Sequence, residues 1–275
     1  MELILVWAIA RRELREALRN KWLWLYAIGF AALALALSQA GLASSGYSGL
    51  GGFGRTAASL INAILLFAPL IGLSVGAGVL AGDRERGTLM YLLAQPVSRA
   101  EVFFGKALGA ALAVISALSL GFGLAAIGLA SARDGRAGVY LILVGNTLLL
   151  ALASLAIGFV IGAVARKSAA ATGVALLLWL ALVFAGDLGV LGLTVALRPS
   201  PDALLAMLMV NPLQVFKLSA IYGLRATLDT LGVAGQYASY RFGALLPLVL
   251  SGVLAAWIVG GFGSAYALFN RRGDV

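Results

Sequence analysis

Residues 82–99 read GDRERGTLMYLLAQPVSR, a charged interruption in a strongly apolar chain. Four charged residues in a row, Asp83, Arg84, Glu85 and Arg86, are followed by a short leucine-bearing run and a proline. On either side lie long apolar stretches, 57–81 and 107–130. About 20 apolar residues cross a bilayer core as a helix, so the charged stretch reads as a connection between two membrane spans. Composition agrees: 62% of the 275 residues are hydrophobic and 11% are charged, where a soluble domain carries roughly a quarter. Mean hydropathy is +1.01. The runs are too long and too uniformly apolar for the alternating strands of a barrel. The expected fold is an all-α polytopic membrane bundle forming a single domain over 1–275.

Outward from that stretch, apolar runs place six spans at 22–43, 57–81, 107–130, 139–165, 169–194 and 245–268. Residues 1–21 read as an amphipathic interfacial helix, with Leu3, Val6, Ala10, Leu14, Ala17 and Leu18 at helical spacing and Arg11, Arg12, Arg15 and Arg19 for a headgroup surface. The first span is read as a retained anchor, with Trp22 and Trp24 at the interface. Alternate intervals, beginning with the N-terminus, hold thirteen of the 20 Lys and Arg; the other side holds seven, namely Arg55, Arg133, Arg136, Arg198, Lys217, Arg225 and Arg241. Both termini are therefore expected in the cytoplasm. Residues 203–222 are apolar enough to tempt a seventh span, but Asn211, Pro212, Gln214 and Lys217 fall across the middle. The outer segment, 195–242, reads instead as one or two short helices at the surface, re-entrant at most.

The net charge of +9 fits membrane orientation and lipid contact rather than nucleic acid. With no Cys and no His, thiolate chemistry, imidazole metal ligation and a Ser-His-Asp triad are excluded. No metal site is expected. Soft Cu(I) would look to Met, of which there are four; Met207 and Met209 share a face only in an extended chain and read as packing. Residues 49–56, GLGGFGRT, imitate a phosphate loop with Arg55 in the lysine position, but no strand precedes them, and they read as a flexible Gly-rich outer loop.

Within the opening stretch, Thr88 suits a helix cap and Pro96 a helix stop, with Leu89, Leu92 and Leu93 on one face. A helix of about eight residues does not hold by itself in water. Headgroups or a partner's groove must hold it, and physics alone leaves both open.

The run GDRERGTLMYLLAQPVSRAEVFFGKALG resembles the signature between the second and third spans of ABC-2 type transporter permeases. The positions that carry the resemblance are Glu85, Gly87, Thr88, Leu89, Leu92, Leu93, Pro96, Ser98, Arg99, Gly105 and Lys106. It implies a cytosolic coupling helix at residues 88–95 that fits a cleft of a separate ATP-binding subunit, with Asp83, Glu85, Arg86, Gly87, Thr88, Leu89, Leu92, Leu93, Pro96 and Arg99 as coupling residues. It also implies a bacterial or archaeal inner-membrane protein paired with a second permease copy and two ATPase copies, and in contact with lipid. ATP and Mg would sit on the ATPase, and this chain would bind no cofactor and perform no catalysis. Residues 10–24, Asp187 and NPLQVFKLS at 211–219 are similar to the Nos-type permeases of copper-processing transporters in nitrous oxide reductase maturation. That narrower resemblance implies movement of a sulfur species, or of mechanical work to an extracytoplasmic accessory protein.

Three polar residues stand inside apolar runs: Asp187, in the outer third of its span, Asn62 and Asn146. All three are candidates for a transport route or interhelical bonding. GxxxG pairs at Gly72/Gly76, Gly105/Gly109 and Gly158/Gly162 point to close helix packing without identifying a dimer seam. The rival reading is a stand-alone channel or secondary carrier, which would need several intramembrane ionisable groups lining a route.

Overall fold

The computed structural model describes residues 2–44, 50–130, 137–189, 192, 194, 196, 199–223 and 232–271. Among the described residues every element is helical. In chain order these are α1 (Leu3–Leu18), α2 (Lys21–Ser44), α3 (Leu50–Glu85), α4 (Thr88–Leu93), α5 (Arg99–Ala130), α6 (Ala137–Val164), α7 (Ser168–Phe184), α8 (Pro201–Val210), α9 (Pro212–Gly223), α10 (Gly232–Phe242) and α11 (Leu246–Arg271). A π-turn, Ala185–Gly189, widens the end of α7, and a 3₁₀ turn, Gly243–Leu245, joins α10 to α11.

Five stretches are long and apolar enough to cross a membrane: Ser59–Glu85, Arg99–Leu124, Tyr140–Val164, Ser168–Gly189 and Gly235–Arg271. The first predicted span is α2, a helix of 24 residues, or about 36 Å at the α-helical rise. The all-α membrane bundle is thus the observed fold, with α1 amphipathic and buried only along Val6, Ala10 and Glu13.

Small residues set the core. Gly72 and Gly76 on α3 meet Gly158 and Gly162 on α6, so closely that a Cβ on Gly158 would lie 2.6 Å from the Leu73 carbonyl oxygen. Gly105 and Gly109 on α5 take α1 the same way; a Cβ on Gly109 would lie 2.6 Å from that of Glu13. All three GxxxG pairs are therefore used within the chain. Around them pack Phe30, Phe103, Phe159 and Phe216, all fully buried.

Contacts show which connections share an end. The Glu2 amide lies on Glu101, Ser168 on Glu85, and the Asn270 carbonyl on Arg99. Intervals before α2, between α3 and α5, between α6 and α7 and after α11 therefore gather at one end, here the near end, as six crossings require. The far end holds α8 to α10.

Sequence expectations need correction in three places. α3 runs on through the charged residues to Glu85 and α5 starts at Arg99, so Lys106 lies inside a helix and not in a connection. Residues 50–56 are the first turns of α3, not a loop; Gly49 lies outside the described residues. In the outer segment, α8 and α9 form a pair bent by 111°. α9 is no surface helix: Leu213, Gln214, Val215, Phe216, Leu218, Ser219 and Ala220 are buried, and it packs on α6 and α11.

Candidate functional site

The connection from α3 to α5 turns on Gly87, whose φ of 73° lies in the left-handed region open to glycine. Gly87 occupies the N-cap of α4 and offers no side-chain cap. Thr88 does not cap the helix. Its hydroxyl donates instead to the Asp83 carboxylate at 2.8 Å, tying α4 back to α3. After α4, Ser98 and Glu101 form a capping box for α5: Ser98 N–H donates to Glu101 Oε2 at 2.8 Å and Glu101 N–H to Ser98 Oγ at 3.2 Å. The other Glu101 oxygen accepts the Glu2 amide at 2.6 Å, fixing the start of α1.

Each of the four charged residues grips a different part of the molecule. Asp83 pairs with Lys106 of α5, whose Nζ also lies 2.6 Å from Glu13 Oε2 of α1. Arg84 donates to the carbonyls of Gly162, Ala163 and Ala165 at the end of α6, where a helix runs out of its own amide donors. Glu85 accepts the Ser168 amide at the first turn of α7, 2.9 Å away. Arg86 lies 2.8 Å from both Asp83 Oδ1 and Glu16 Oε1. The side chains of Lys106 and Asp83 are 2% exposed and that of Glu13 10%, so the cluster is shut off from water. Burial pushes the Glu13 carboxyl above the usual carboxylate range, against the pull of Lys106.

Leu89 is buried, and Leu93 and Val97 pack on the core beside it. The leucine face of α4 thus rests on its own bundle. What α4 presents to the surroundings is Met90, 52% exposed, and Tyr91, 72% exposed, followed by exposed Ala94, Gln95 and Pro96. Leu92 is half-buried, and the Arg99 guanidinium donates to the Asn270 carbonyl at 3.3 Å.

At the far end Asp187 accepts from Lys217 Nζ at 2.8 Å and from Gln214 Nε2 at 3.1 Å. Asn146 donates to Ser219 Oγ at 2.9 Å inside the bundle. Both therefore hold α9, from opposite sides. Asn62 is exposed and joins neither. Met209 packs inward while Met207 is 37% exposed, as two residues 200° apart on a helix must diverge.

Sequence reading missed Glu13. Its signal was position: it follows Val6 and Ala10 on the buried face of α1, where a carboxylate needs a partner.

Residues 7–273 match the family described as ABC-2 family transporter protein. The chain is 34% identical over 277 aligned residues to a probable ABC transporter permease protein NosY of Stutzerimonas stutzeri, covering 97% of the chain and 98% of that relative. It is 33% identical, with the same coverage, to a probable NosY permease of Pseudomonas aeruginosa. With its charged α3–α5 connection and helical bundle matched along nearly the whole length, the chain belongs to the ABC-2 family of transporter permeases.

Proposed function

We propose that this permease works with separate ATP-binding subunits, two per complex, and pairs with a second copy of itself in a bacterial or archaeal inner membrane. Its near end faces the cytoplasm, and ATP and Mg are held by the partner subunits. By its resemblance to Nos-type permeases, with which the likeness to two NosY permeases agrees, the complex serves maturation of the copper site of nitrous oxide reductase. It does so by exporting a sulfur species or by passing mechanical work to an extracytoplasmic accessory protein. Closure of the ATPase pair pushes α4, tilts α3 and α5, and alters α8 to α10.

The observation that carries this reading is α4, a helix of six residues seated on its leucines with Met90 and Tyr91 left outside. An apolar and an aromatic side chain on an exposed turn, rimmed by Glu85 and Arg86, suit a protein groove. The test is co-purification of the intact permease with its ATPase subunit. Tyr91→Asp is expected to weaken the complex by roughly thirtyfold, the scale of an aromatic hot spot of about 2 kcal/mol, while still inserting. Leu89→Asp strikes the permease core and is expected to lower its yield instead. If the wild type retains no ATPase, or Tyr91→Asp binds as well, the stand-alone channel or carrier becomes the better reading.

A further inference from the structure

The helices can be divided into two groups that meet along a shared seam. α1 and α2 lie on α5, whereas α3 packs on α6 and α7, and α6 on α11. Their seam runs along α2 and α3, with thinner contacts of α5 on α3 and α6. The two ends of that seam differ in chemistry. Toward the far end it carries ring contacts among its aliphatic packing, Phe30 on Phe67 at 6.2 Å and Phe122 on Tyr140 at 6.0 Å, and the Tyr140 hydroxyl donates to the Phe122 carbonyl. At the near end it is bolted by Lys106 of α5, held between Asp83 of α3 and Glu13 of α1. One turn away, Phe103 of α5 lies against Phe159, Tyr266 and Phe269 of the other group. Beside the bolt the groups stand apart, leaving a cleft of about 440 Å³ between Glu16, Asn20 and Leu23 on one side and Val75, Gly78 and Val79 on the other.

We propose that the Glu13–Lys106–Asp83 cluster is a pivot between the two groups, and that Lys106 is the positioning residue that turns a push on α4 into a swing of the far end of α5. This rests on the reading of α4 as the ATPase contact. Separating a buried ion cluster exposes uncompensated charge in an apolar setting, so the near end resists opening. Ring contacts exchange one packing for another and slide. The push reaches the cluster directly, because Thr88 of α4 is bonded to the Asp83 carboxylate. From Lys106 to Leu124 α5 is a lever of about 27 Å, so a turn of about 10° moves its far end by about 5 Å.

The chain has no cysteine, so label pairs can be placed freely. Spin-label distances are measured in the permease–ATPase complex in lipid nanodiscs, with and without ATP. One pair is near the pivot (Arg12→Cys with Lys167→Cys) and one is far from it (Leu124→Cys with Leu248→Cys); all four positions are exposed. The far distance is expected to shift with ATP and the near one to stay. In Glu13→Gln/Lys106→Met, where Asp83 keeps Arg86 and Thr88, ATP is still hydrolysed but the ratio of shifted to unshifted molecules falls by about tenfold or more. A near pair that moves as much as the far pair in the wild type overturns the pivot. So does a double variant that keeps the full far shift. If the double variant does not insert, the wild-type pairs decide. Failure of the wild type to bind any ATPase is a different result: it removes the permease reading, and the pivot with it.

Discussion

Gly158 has no room for a side chain, because the backbone of α3 occupies the place where a Cβ would stand. Neither backbone can retreat without opening the core, so Gly158→Ala is expected to cost about 1–3 kcal/mol, the range for an overpacked interior. Gly173 on α7 has open space around the same position, and Gly173→Ala is expected to gain up to about 1 kcal/mol from helix propensity. Thermal unfolding of the two purified variants in detergent checks both signs. The glycine spacing was legible in the sequence, since GxxxG announces close approach; which surfaces would approach was not, since that depends on partners elsewhere in the chain. Lys106 was visible as a basic residue near a span and as one position of the family signature, and was counted with a connection. Its burial depends on Glu13, distant in sequence, and one chain offers no local sign that two such charges meet.

Helices end where backbone hydrogen bonding stops, and not where hydropathy falls. That difference explains why the existence of the spans could be read from composition while their near ends could not. α3 continues through Asp83, Arg84 and Glu85 because the bundle gives each of them a partner. Arg84 is the clearest case, acting as a cap for the end of another helix, α6. Removing it in Arg84→Ala withdraws charged hydrogen bonds worth about 1.5–3 kcal/mol from the α6–α7 turn. Hydrogen exchange of the amides at 165–168 is expected to accelerate, while that of the α3–α6 glycine crossing stays slow. Equal rates there would mean that the turn holds without Arg84. The break between α8 and α9 was foreshadowed by Asn211 and Pro212, because a proline pushes its predecessor out of the helical region. The depth of α9 was hidden: Gln214 and Lys217 look like surface residues until Asp187 supplies their partner.

At the scale of the molecule, six crossings return the chain to the end from which it started, and contacts of Glu101, Glu85 and Arg99 hold the four near-end connections together. The excess of Lys and Arg in those connections is the ground for the proposal that this end faces the cytoplasm. A membrane-impermeant thiol reagent applied to intact cells is therefore expected to label Tyr240→Cys, 90% exposed beyond the far end, and to leave Lys167→Cys unmodified until the membrane is broken. The reverse pattern would invert the topology.

The Glu13–Lys106 pair also has a history in time. The two residues are 93 positions apart, and a ribosome adding about 5–20 residues per second needs roughly 5–20 s to cover that distance. Through that interval α1 has been made but cannot be seated, and its Glu13 must wait among hydrated headgroups. The first helix to leave the ribosome thus docks only after α5 has been made, and entry of α5 is the event that lets it do so. Asp83, the anchor of α4, waits on the same arrival. The seating of α1 therefore waits on the arrival of a single lysine.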